Sequence, residues 1–239
     1  MLFRYSFVPC FAFTILLFLS GCTDNLKSAI GSAEAFIDNQ KGLDISADYI
    51  QSLPYSSTLV SINDGKPILL ILSFAEKNVN SGIYQLTWLS NDNSVIVTEN
   101  GRIVHSTGFS SGNLEGLRAT ENNLPLPGNA QNWVAHYDWS PGYRYDFSAD
   151  VHSTSIGTET LQSDLWHQET EHVKEDITFT TLDYSFSNHF WVAPRTNSHK
   201  AYVIKSIQYL GPNMHKVEML MIKPFIETLQ NTKASKDSK

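Results

Sequence analysis

Gly108-Phe109-Ser110-Ser111-Gly112 has the form G-x-S-x-G, in which a serine on a sharp turn can act as a nucleophile toward an ester or amide. That chemistry needs a strand entering the turn and a helix leaving it, set in a parallel α/β sheet, so that the hydroxyl meets a base and free backbone N–H groups. Ile103-Val104 can supply the strand and Leu114 to Leu117 a turn of helix, but the rest of the chain lacks βαβ alternation. A serine- and glycine-rich loop is the reading that fits, and no catalytic residue is assigned.

The histidines raise metal binding. His167-Gln168-Glu169-Thr170-Glu171-His172 looks like H-E-x-x-H at first glance, but its spacing puts the two rings on opposite faces of a strand and well apart on a helix. No metal site is expected. Glu169 and Glu171 share a strand face and could work as an acid/base pair on a glycan, yet nothing fixes a second pair at a useful separation, and a solvated polar face accounts for them.

The aromatic residues between 133 and 147 carry two competing readings. Trp133, Tyr137 and Trp139 share one face by period two, and beyond Ser140-Pro141-Gly142 so do Tyr143, Tyr145 and Phe147. Such rings stack on sugars, and Trp133, Tyr137, Trp139, Tyr143 and Tyr145 are the candidate glycan contacts. Large aromatics also bury about 150–250 Å² each and dominate β interiors, so a core role competes and is the stronger on general grounds. A three-residue turn would pair Trp139 with Tyr143, Tyr137 with Tyr145 and Asp138 with Arg144. A two-residue turn would set Trp139 against Arg144 and mix the faces, which the pattern disfavours.

Cys22 closes the inventory. It follows Arg4, an apolar run from Tyr5 to Leu19, and the small residues Ser20 and Gly21, which together have the layout of an export signal. As a membrane span the run is marginal, because a helix crossing about 30 Å of hydrocarbon wants roughly 20 apolar residues and Pro9 interrupts this one. Leu19-Ser20-Gly21-Cys22 is the pattern of a bacterial lipobox. Cys22 is therefore expected to be acylated and to become the first residue of the mature chain, with a covalent diacylglycerol, an N-acyl chain and no other cofactor. Each buried CH₂ contributes about 0.8 kcal/mol, so several acyl chains make a lasting anchor where one does not. Thr23 follows the cysteine where inner-membrane retention usually wants Asp. The expected location is the periplasmic face of the outer membrane. Cys10 leaves with the signal and Cys22 is taken by lipid, so no disulfide can staple the domain.

These residues must be held by a β fold. The formal charge of −7, made more negative by loss of Arg4, and the lack of a basic cluster before the tail disfavour a nucleic-acid partner. Four segments are expected: a signal over 1–21, a lipid-anchored tether over 22–45, a single antiparallel β domain over 46–224 and a flexible polar tail over 225–239. Leu26, Ile30, Ala33 and Ile37 follow a helical stripe in the tether, and 46–51 adds a helical turn that Leu53-Pro54 ends. Strands then alternate with turns: Asn63-Asp64-Gly65 between 58–62 and 67–72, Ser90 to Asn93 between 84–89 and 95–98, and Asn100-Gly101 between 95–97 and 103–104. Residues 108–131 are rich in Gly, Asn, Ser and Pro and are expected to be a long connection. Further strands are expected near 159–172, 176–184, 188–193, 201–210 and 214–222. Ten or more short strands with tight turns and a short N-terminal helix indicate a mainly β protein, an antiparallel half-barrel or open barrel or sandwich.

Several strings scattered in order along this chain resemble the YjbF/GfcB family of lipoproteins from group 4 capsule and related exopolysaccharide loci. They include Leu53-Pro54-Tyr55-Ser56, Trp88-Leu89-Ser90, Thr98-Glu99-Asn100-Gly101-Arg102, Phe190-Trp191-Val192, Gln208-Tyr209-Leu210-Gly211 and Val217-Glu218-Met219. The resemblance implies an outer-membrane lipoprotein that assists assembly or export of a polysaccharide without a catalytic centre. It further implies contact with an outer-membrane β-barrel and with periplasmic proteins of the same locus, and a half-barrel fold. No site residues transfer with it. One departure stands out: relatives tend to carry a short Asp-x-x-Thr-Gly turn where this chain has residues 191–200, so a longer or looser hairpin is expected there.

Overall fold

The computed structural model describes residues 47–227 apart from 80, 121, 122, 143 and 164. The signal, Cys22, the tether helix and residues 228–239 lie outside that set. A short helix, α1 (Ala47–Ser52), precedes the strands and ends before Pro54, as expected from the sequence.

Twelve strands follow: β1 (Ser57–Ile62), β2 (Ile68–Lys77), β3 (Tyr84–Leu89), β4 (Val95–Glu99), β5 (Arg102–Thr107), β6 (Asn113–Ala119), β7 (Asn132–Ser140), β8 (Arg144–Gln162), β9 (His167–Phe179), β10 (Tyr184–Ala193), β11 (Tyr202–Tyr209) and β12 (Lys216–Lys223). They form one antiparallel sheet in the order β5-β4-β3-β2-β1-β12-β11-β10-β9-β8-β7-β6. Sequence neighbours are ladder neighbours everywhere but between β5 and β6, and one ladder joins strands far apart in the chain. The chain's first and last strands pair with each other, Val60 opposite Met219, and the sheet's two edges, β5 and β6, are consecutive in the chain. The sheet curls until these edges meet, giving a nearly closed barrel with its seam in mid-sequence. No ladder joins them. Side chains bridge the seam instead: the Leu114 N–H donates to Ser106 Oγ at 2.9 Å, and His105 Nδ1 lies 3.1 Å from the Glu115 carbonyl. That arrangement satisfies edge groups that would otherwise be open to another chain.

The turn residues explain the meander. Asn63 and Asp64, and Asn100 and Gly101, all have positive φ, the geometry of the two-residue turns whose twist matches the flanking strands. Alternate residues of each strand fill the interior: Trp88, Ile96, Leu114, Tyr137, Trp139, Ile177, Phe179 and Met219 belong to one apolar core.

Several expectations change. Residues 108–131 are not all connection, since β6 runs through them. Residues 159–172 are the tip of a hairpin between β8 and β9 and not one strand. Next to the β7–β8 turn the structure has the pairing of the two-residue loop that the pattern disfavoured, and further along it departs from both loops considered. Tyr137 faces Phe147 and Trp139 faces Arg144, with the register shifting between them. Asp146 sits in the shifted stretch at φ 59°, and its N–H donates to Asp138 Oδ1 at 2.6 Å. Asp138 thus holds the irregularity in place and does not face Arg144 across a regular ladder; its ion pair is with Arg118.

Candidate functional site

A cavity of about 620 Å³ lies between β3, β4, β11, β12 and the segments 123–129, 194–201 and 224–227, within the roughly 300–1,000 Å³ typical of small-molecule sites. Its inner wall is made by Trp88, fully buried, and by Leu124 and Met221. The Trp88 indole N–H donates to Thr98 Oγ1 at 2.9 Å, so the one polar atom of that ring is already satisfied inside the protein. Tyr84 and Phe225 pack edge to face at 5.2 Å along one side.

The mouth is charged. Arg195 and Lys200 are exposed there, and Glu227 accepts hydrogen bonds from Lys77 Nζ at 2.9 Å and Lys200 Nζ at 3.0 Å. Burial pushes the Glu227 carboxyl up, but the two lysines outweigh it and hold the group below its ordinary value. Phe225 and Glu227, placed by the sequence reading in a polar tail, are therefore packed parts of the site.

The elements around the cavity are fixed by specific bonds. Pro125 and Pro127 keep 124–127 out of any strand interior. Asn100 Nδ2 donates to the Leu124 carbonyl at 2.8 Å and Arg102 Nε to the Pro125 carbonyl at 2.9 Å, which ties this segment to the β4–β5 hairpin. Gln208 on β11 behaves like an inserted peptide group: its Oε1 accepts from the Ile103 N–H at 3.0 Å and its Nε2 donates to the Gly101 carbonyl at 2.9 Å. At Gly101 an added Cβ would lie 2.3 Å from Val203 Cβ, so the turn presses directly on β11. The loop 194–201, long as expected from the sequence, folds on Thr196, whose N–H donates to the His199 carbonyl at 3.0 Å.

The candidate glycan residues do not form one exposed face. Tyr137 and Trp139 are buried, Tyr137 against Phe179 at 5.2 Å and Trp139 against Phe147 at 4.8 Å. Burial pushes the Tyr137 phenol well above its ordinary value. Trp133 is half-buried, with the Arg102 guanidinium 4.8 Å from its ring centre. Tyr145 is exposed, and Tyr143 lies outside the described residues. Glu169 and Glu171 are exposed on β9. Ser110 falls in the turn between β5 and β6, followed by a strand where a nucleophile elbow needs a helix.

His172 does find another imidazole, though not His167: its Nε2 lies 2.9 Å from His189 Nδ1, and its ring stacks on Trp191 at 4.3 Å. The Trp191 N–H donates to Glu159 Oε2 at 2.6 Å. Among the described residues no three of His, Cys, Asp and Glu come together as a metal site needs.

Thr120, His136 and Asp146 stand in hydroxyl–imidazole–carboxylate order, Thr120 Oγ1 2.9 Å from His136 Nε2 and His136 Nδ1 2.9 Å from Asp146 Oδ1. The Thr120 N–H is already bonded to the Val134 carbonyl at 3.1 Å, and Asp146 also pairs with Arg118 at 3.1 Å. With its own N–H engaged and His136 Nδ1 making no hydrogen bond to Asp146, Thr120 lacks the aligned relay that a hydroxyl nucleophile needs.

Residues 24–222 match the family described as group 4 capsule polysaccharide lipoprotein gfcB, YjbF. Two curated relatives come from Escherichia coli K12. The chain is 29% identical to the uncharacterized lipoprotein GfcB over 221 residues, 87% of this chain and 94% of that one. It is 27% identical to the uncharacterized lipoprotein YjbF over 220 residues, with the same two shares. The crystal structure of the hypothetical lipoprotein YmcC from the same species is similar at a TM-score of 0.64 and 27% identity, covering 80% of this chain and 95% of that one.

Proposed function

The chain belongs to the YjbF family, that of the group 4 capsule polysaccharide lipoproteins, and we propose that it assists assembly or export of a capsular or exopolysaccharide without catalysing a reaction on it. Cys22 carries the diacylglycerol and N-acyl anchor, the protein faces the periplasm from the outer membrane, and it works through contact with an outer-membrane β-barrel and periplasmic partners. The observation that supports this reading most is the extent of the family match, which runs from just past Cys22 to β12 and so takes in the whole barrel. The chemistry agrees: the cavity beside β3 and β11 is lined mainly by apolar side chains, which suits holding a molecule better than moving protons.

Deleting the gene and measuring surface polysaccharide tests the role. Loss of surface polymer, restored by the full chain and not by Cys22→Ser, is expected; unchanged polymer overturns it. The partner is tested by capturing the mature lipoprotein at native expression, where absence of the outer-membrane barrel protein of the locus removes the docking part of the proposal. A second reading, a glycan-binding module on the aromatic face, keeps only Trp133 and Tyr145 as rings with exposed surface among the described candidates.

A further inference from the structure

The cavity combines an apolar interior with an exposed cationic mouth. From Arg195 inward the lining passes to Leu86, Trp88 and Met221, of which Trp88 is fully buried. Of the polar groups in the lining, the Trp88 N–H is already bonded to Thr98, the Asn100 amide to the Leu124 carbonyl and the Glu227 carboxylate to two lysines, so these three are not aimed at a sugar's hydroxyls. An alkyl chain needs none of these. Its transfer from water into an apolar interior is favourable in itself.

The mouth adds a sign. Arg195, Lys200 and Glu227 line it, and the Glu227 carboxylate is held by Lys200 and Lys77. Arg195 has no ion pair among the described residues, so a guanidinium stands exposed at the rim of an apolar cavity. Guanidinium groups match carboxylate and phosphate oxygens in bidentate geometry.

We propose that this cavity binds a single-chain anionic amphiphile, its alkyl chain against Leu86, Trp88 and Met221 and its head group on Arg195. The inference goes beyond the export role and does not depend on it, since loss of lipid binding and loss of surface polymer are read separately. Fatty acids and lysophospholipids share the required chemistry, and the competitors below distinguish them.

The mature lipoprotein is placed in phosphatidylcholine nanodiscs and exposed to lysophosphatidylglycerol bearing a diazirine near the end of its chain. Labelled peptides are then identified by mass spectrometry. Labelling of the peptides that contain Trp88 and Met221 is expected, displaced by unlabelled lysophosphatidylglycerol and much less by lysophosphatidylcholine. Displacement by palmitate as well shows that a carboxylate head suffices; displacement by lysophosphatidylglycerol alone shows that a phosphate is required. Arg195→Glu, at an exposed position, is expected to weaken labelling roughly three- to tenfold in half-saturating concentration, the scale of an exposed charge pair reversed. Leu86→Trp, which puts a larger ring in the path of the alkyl chain, should weaken it as well. Labelling restricted to other surfaces, equal displacement by the zwitterionic lipid with no effect of Arg195→Glu, or displacement by purified capsular polysaccharide overturns the proposal.

Discussion

The guanidinium of Arg102 on β5 and the carboxylate of Glu175 on β9 form a two-bond ion pair inside the barrel, the side chains 3% and 1% exposed. The second bond measures 2.8 Å, Ser153 Oγ donates to the same carboxylate at 2.7 Å, and Arg102 lies near the rings of both Trp133 and Phe190. Removing one partner leaves a charge without its counterion in a site with little water. Glu175→Gln is therefore expected to cost about 3–5 kcal/mol in urea unfolding. Arg102→Met with Glu175→Leu is expected to cost less than either single change, because both charges leave together. A double change as costly as the two singles added would mean that the pair is not coupled.

The Gly101 turn gives a second test. Its φ of 77° is poorly suited to any residue with a side chain, and a Cβ there would run into Val203. Gly101→Ala is expected to destabilise by about 1–3 kcal/mol for the backbone, with a similar cost for overpacking. Val203→Gly carries its own cost, Val203 being a buried strand residue, but measured against that single variant, adding Gly101→Ala should cost the backbone part alone. No added cost against that background would show that contact, and not backbone conformation, makes glycine necessary.

The hairpins that sequence located best are those whose turns carry their own signal. Asn100-Gly101 and Asn63-Asp64 tolerate the positive φ that a tight turn demands, so local residues suffice to place them. β6 was hidden because Gly116 and the surrounding Gly, Asn and Ser residues weaken the strand pattern, and its ladder with β7 supplies what propensity does not. The β7–β8 register depends on Asp138 capturing the Asp146 N–H, a tertiary bond that no alternation pattern reveals. The buried ion pair was partly legible. Glu175 occupies an inward position in the alternation Val173, Glu175, Ile177, Phe179, and a carboxylate at such a position asks for a buried cation. Which cation answers it depends on how the sheet closes. The cavity had no local signature at all, since its lining is gathered from segments scattered from Gly82 to Glu227.

The aromatic residues separate into structural and exposed rings. Trp139→Ala removes a buried ring that packs on Phe147 and Phe179 and is expected to cost about 3–5 kcal/mol. Tyr145→Ala, at 59% exposure, is expected to leave stability within about 0.5 kcal/mol. Thermal unfolding of the two variants checks the contrast. A glycan role for Tyr145 would appear as weaker polysaccharide binding at unchanged stability; for Trp139 the two losses would come together.

Acid should weaken the fold through its paired carboxylates. Burial pushes the Asp138 carboxyl up, but the Asp146 N–H and the Arg118 guanidinium outweigh it and hold the group below its ordinary 3.8. Asp92 and Asp176 are lowered in the same sense. A carboxylate with a depressed value in the folded state binds its proton later than in the unfolded chain. Its stabilisation is complete above the unfolded value and is lost as pH falls through the folded one. The urea midpoint is therefore expected to hold steady on the alkaline side of about pH 4–5 with respect to these groups and to fall below it. Asp138→Asn keeps an oxygen for the Asp146 N–H but removes the charge that Arg118 pairs with. Because Arg118 is half exposed, the loss at neutral pH should be about 1 kcal/mol or less. The acid slope should become shallower by one titrating group, and an unchanged slope would mean that Asp138 is not held below its ordinary value.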